Sequence, residues 1–117
     1  MEELELPGSL RMASRKRDGT TTVMISGELD IATTGQVRAY VERALGESGT
    51  ARIILDMREI SFIAAAGAGL LAELRDTAAQ CGAELLLGDV SPVVIRLLAL
   101  VGLAGQYPSA TLTSRPG

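Results

Sequence analysis

The segment RIILD at residues 52–56 decides how this chain is read. Ile53, Ile54 and Leu55 stand in succession, with no polar alternation. A strand with one wet face alternates, whereas an unbroken aliphatic run suits an inner strand of a parallel sheet. ELLLG at residues 84–88 repeats the pattern. Between the two, residues 66–81 form a helical stretch that stops at Gly82. Strand, helix, strand is the parallel crossover unit of an α/β fold.

The same unit extends in both directions. Thr33-Thr34-Gly35-Gln36 has capping-box spacing, with Thr33 as N-cap and Gln36 reaching back. Val37, Tyr40, Val41, Ala44 and Leu45 follow at helical spacing, and Gly46 ends that helix. Further upstream, residues 10–17 and 20–27 flank Asp18-Gly19, a pair that supplies the positive backbone angles of a tight hairpin. Arg11, Arg15, Lys16 and Arg17 gather near its tip. They read as a solvated, edge-protecting set of charges rather than an anion-binding patch.

Downstream, Ser91 caps and Pro92 opens a third helix, closed by Gly102. PVVIRLLALVG is apolar around most of its circumference, so part of it faces a neighbouring helix and the rest is either core or an exposed apolar patch. Residues 103–117 hold Pro108 and Pro116 and suit one short strand at most, then a frayed tail. The order is ββαβαβα: a largely parallel sheet with the first hairpin strand antiparallel at one side.

At 117 residues the chain suits one domain. A net charge of −3 argues against a general nucleic-acid binder. With no histidine, a single lysine (Lys16) and a single cysteine (Cys81), the usual general base, most zinc sites and any internal disulfide are excluded. MEELELPG lacks the basic and apolar regions of a signal peptide, and residues 93–103 are too short and too charged at Arg96 to span a bilayer. A cytoplasmic protein is the expectation, with no cofactor.

Three constellations could carry chemistry. Gly67-Ala68-Gly69-Leu70-Leu71-Ala72 fits G-x-G-x-x-G/A, with Asp89 about 20 residues on, but falls mid-chain instead of at a first strand-to-helix turn. Asp30, Asp56 and Asp89 each follow an expected strand, and together they could hold Mg²⁺ for phosphoryl transfer. Against that, Lys16 lies in the hairpin, and such aspartates commonly serve turns and helix starts. Cys81 reads as a small buried hydrophobe, not a nucleophile. Nothing joins a nucleophile to a base and an orienting group, so the chain reads as non-catalytic. The third constellation is a surface: FIAAAGAGLL at residues 62–71 starts a helix on alanines and glycines, leaving N–H groups that no side chain covers.

Together VMISGELDIATTGQV (23–37), RIILDMREISFIAAAGAGLL (52–71) and ELLLGDVSPVVIRLLALVGL (84–103) resemble the STAS domains of bacterial anti-sigma factor antagonists. The resemblance spans roughly four-fifths of the chain, in the right order, and sets a domain over residues 4–108 and a disordered tail over 109–117. It implies an α/β STAS fold, a mixed, mostly parallel sheet of four to five strands with three to four helices mainly on one face. It also implies an anti-sigma factor partner that is a serine kinase, bound by a monomer or weak dimer. The family commonly reads F-x-D-S-S-G where this chain reads Phe62-Ile63-Ala64-Ala65-Ala66-Gly67. The aspartate falls on Ala64, the first serine on Ala65 and the phospho-acceptor on Ala66; the glycines carry over as Gly67 and Gly69. Asp30 carries over as the acid of G-E-L-D, with Thr33 beside it on the expected partner-binding surface. Three readings stay open: a permanently unphosphorylated antagonist, a diverged module for a non-kinase partner in a signalling or transporter complex, or engineered alanines.

Overall fold

The computed structural model describes residues 2–5 and 10–102. β1 (Glu2–Glu5), β2 (Leu10–Arg17), β3 (Thr20–Leu29), α1 (Thr34–Leu45), β4 (Arg52–Ile63), α2 (Ala65–Gln80), β5 (Glu84–Val90) and α3 (Pro92–Leu100) follow in that order. The five strands lie side by side in chain order. β1, β2 and β3 pair antiparallel; β3, β4 and β5 pair parallel, through crossovers that contain α1 and α2.

Local chemistry accounts for the turns. Asp18 and Gly19 take φ of 52° and 80°, the left-handed pair that joins β2 to β3 without splaying them. Leu10 and Met12 of β2 and Val23 and Ile25 of β3 turn to one face and are fully buried. There they meet Ile53, Leu55 and Met57 of β4 and the inward faces of the helices: Val37 and Val41 of α1, Leu70, Leu71 and Leu74 of α2, Val94 and Leu98 of α3. On the opposite face Thr22, Ile54 and Leu86 align across three strands. Ile54 and Leu86 are each 9 % exposed and stand outside the main core cluster.

Several expectations change. β4 runs on to Ile63 rather than stopping at Asp56, pairing Glu59, Ile60, Phe62 and Ile63 with the end of β3. Its burial falls at Met57, Ile60 and Ile63, a spacing of three created by register shifts along both pairings, which hid the strand from a period-two reading. β2 is not an edge strand, since β1 pairs outside it. Cys81 is exposed, because it caps α2 beyond the last packed turn, where Ala78 is the final buried residue. Ser91 does precede α3 with Pro92 at its start, yet its hydroxyl makes no capping hydrogen bond. The expected tail at residues 103–117 lies outside the described residues. Among the described residues, no helix is long and apolar enough to cross a membrane.

Candidate functional site

The parallel strands β3 and β4 end side by side, with Glu28 opposite Phe62 and Leu29 opposite Ile63. Each then hands the chain to a helix, so two connections meet on one edge. The amide of Ala64 donates to the carbonyl of Leu29 at 2.9 Å and ties them together.

The first connection is held by its own side chains. Asp30 Oδ1 accepts from the amide of Ala32 at 2.9 Å, an Asx turn. The amide of Asp30 donates to Thr33 Oγ1, while the amides of Thr33 and Thr34 both donate to the Asp30 carbonyl, each at 3.0 Å. Thr33 Oγ1 itself donates to the Glu28 carbonyl at 3.1 Å. Thr33 therefore serves the loop and not the helix: the expected capping box does not form. The amide nitrogen of Gln36, oriented by its surroundings, donates to the carbonyls of Thr33 and Ala32 instead. This self-bonded loop lifts Ile31 into solvent, 82 % exposed.

The second connection enters α2. Ala64 has φ −94° and ψ 169°, the extended backbone of an N-cap, but a methyl group cannot accept the orphan amides of the first turn. Ala65 is exposed and Ala66 half-buried. Gly67 is different: a Cβ there would stand 2.7 Å from Ile63 Cγ1 and 3.1 Å from Leu29 Cγ. Its lack of a side chain lets α2 start hard against the strand ends. Gly69 faces open space and has no such duty. Phe62, half exposed, completes the edge.

Asp30, Thr33 and residues 64–67 thus share one edge of the sheet, while Asp56 and Asp89 do not join Asp30. Asp56 lies inside β4, opposite Met24, well before the strand ends. Arg58, which no sequence motif marks, binds both carboxylates: Nε to Asp56 Oδ1 and Nη2 to Asp89 Oδ2, each at 3.1 Å. The hydrogen bond and charge of Asp56, with Asp89 adding, hold the Arg58 guanidinium above its ordinary value. Among the described residues no three metal-ligating side chains cluster, so the alternative of an Mg²⁺ site on Asp30, Asp56 and Asp89 is not assembled. The glycine fingerprint fares no better, since Gly67 is filled by core packing and Asp89 is engaged by Arg58.

The sequence profile of the STAS domain matches residues 11–111. The chain is 30% identical over 100 residues to an anti-sigma F factor antagonist of Paenibacillus polymyxa, covering 86% of each. Among solved structures, the unphosphorylated form of the anti-sigma factor antagonist SpoIIAA is similar with a TM-score of 0.67 and 27% identity, over 87% of this chain and 90% of that one. An anti-sigma factor antagonist from Mycobacterium paratuberculosis shares the fold with a TM-score of 0.78 at 22% identity, over 94% and 93% of the two chains.

Proposed function

Since the chain belongs to the STAS domain family, we propose that it is an anti-sigma factor antagonist. In this reading it is a non-enzymatic binding protein that occupies an anti-sigma factor and so frees a sigma factor. The support is the antagonist relative at 30% identity together with the edge described above. The observation that carries the site is the exposure of Ile31 and Phe62 beside the uncapped start of α2. Large apolar side chains held in water by a self-bonded loop and a strand end are suited to become anchors in a partner's pocket. The small residues Ala64, Ala65 and Ala66 allow a partner to approach the backbone, and Asp30 keeps the loop in shape.

Ala66 occupies the phospho-acceptor position of the family pattern. A methyl group accepts no phosphate, so binding is not switched there, and the protein remains competent whenever it is present. The test is calorimetric titration with an anti-sigma factor kinase of the same organism, before and after incubation with ATP. Equal affinity in both, with no phosphate on the chain by mass spectrometry, is expected. Phosphate on Ser61 or another hydroxyl, with loss of binding, would overturn the unswitched reading. Capture by a transporter subunit in place of the kinase would move the protein to the diverged module with another partner.

A further inference from the structure

The face of the sheet that no helix covers among the described residues carries its own feature. A trough of about 570 Å³ runs across β2, β3 and β4, within the size range of small-ligand sites. Ala13 and Met24, cross-strand partners, line its middle. Thr22 and Ser26 bring hydroxyls to it, and Arg11, Arg15 and Arg58 bring guanidinium groups. Arg11 and Arg15 are four residues apart on one strand, so they share this face about 13 Å from each other.

The three arginines are not equivalent. Arg58 is held by Asp56 and Asp89. Register sets Glu5 of β1 opposite Arg11, but β1 ends its pairing at Ser14, so Arg15 lies beyond it. The Arg15 side chain has no ion pair or hydrogen bond among the described residues. The hydroxyls of Thr22, opposite Arg15, and Ser26, opposite Arg11, are likewise without hydrogen-bond partners among the described residues. Asp56 and Glu59 also line the trough, at the Arg58 end, and Asp56 is neutralised by its ion pair. The Arg15 end is therefore the cationic end.

We propose that this trough binds a small organic anion with an apolar body, its carboxylate or other acidic head on Arg15 and Thr22 and its body along Ala13 and Met24. Guanidinium and hydroxyl donors suit a carboxylate head, and the half-buried methionine offers an adaptable apolar surface. The site is independent of the partner-binding edge and would bring a chemical signal to a protein whose family switch position is an alanine.

The probe is octanoate, with octanol as its uncharged match, followed by amide NMR shifts on the full chain. Saturable octanoate shifts centred on Ala13, Arg15, Thr22 and Met24 are expected, with octanol at least tenfold weaker. Arg15→Glu should reduce octanoate affinity at least tenfold with an unchanged circular dichroism spectrum, while Arg96→Ala on α3 leaves it intact. Equal binding of octanol, shifts centred on Ile95 and Leu100 of α3, or an unchanged affinity in Arg15→Glu would each overturn the proposal. So would binding to phosphatidylglycerol vesicles with none to monomeric octanoate.

Discussion

Gly67 and Ile63 are packed so closely that a methyl group on Gly67 would lie 2.7 Å from Ile63 Cγ1. Gly67→Ala is therefore expected to cost about 1–3 kcal/mol, since Ile63 is boxed in by the core and cannot yield freely. Gly69→Ala, two residues on and facing open space, should stabilise by about 0.5–1 kcal/mol through the better helix former. Urea denaturation of the pair checks both signs, and equal effects would dismiss the steric account.

Ala64 has N-cap backbone geometry without an N-cap side chain. Ala64→Asp should stabilise by about 1 kcal/mol, from a carboxylate that accepts first-turn amides and faces the positive helix end. The gain appears as a higher urea midpoint at unchanged slope.

Ile31 and Phe62 stand in solvent, so their loss should leave the fold intact while removing the partner. Ile31→Asp is expected to change stability by no more than about 0.5 kcal/mol. It should weaken anti-sigma factor binding about thirtyfold, the effect of losing a hot spot of ~2 kcal/mol. Calorimetry against the partner, with a melting curve as control, separates the two effects.

Ala66→Ser returns a hydroxyl to the first turn of α2. On the proposed reading, incubation with an anti-sigma factor kinase and ATP should then add one phosphate, seen by mass spectrometry, and abolish binding, while the parent chain is unchanged. The phosphate would favour the helix end itself and disrupt the close interface.

Arg58 compensates Asp56, which is 8 % exposed. Removing the arginine alone leaves a carboxylate with little water and no cation. Arg58→Ala should lower the urea midpoint more than the double change Arg58→Ala with Asp56→Leu, which removes both charges. A double change worse than the single one would mean that the pair matters through packing.

The crossovers were legible because Ile53–Leu55 and Leu85–Leu87 are unbroken aliphatic runs, and the hairpin because Asp18-Gly19 has one favoured geometry. The far half of β4 was not, since shifted pairing spaces Met57, Ile60 and Ile63 by three. β1 offers a single apolar residue, Leu4, too little for a pattern. Thr33 looked like a cap because spacing shows which residue could reach the helix, not that a nearby loop would claim its hydroxyl first. The reading of Ala66 rests on family pattern alone, whereas Arg58 bridges partners 33 positions apart, Asp56 and Asp89, that meet only once β4 and β5 pair.

The first turn of α2 is fastened by Gly67 against Ile63 and Leu29 and by the bond from Ala64 to Leu29, none of which uses the methyl groups of residues 64–66. Every alanine codon becomes a serine codon by a single base change. A lineage carrying this chain could thus gain a modifiable hydroxyl at position 66 in one generation, with no repair of the backbone around it. On the proposed reading, unswitched binding is a genetic setting and not an architectural commitment.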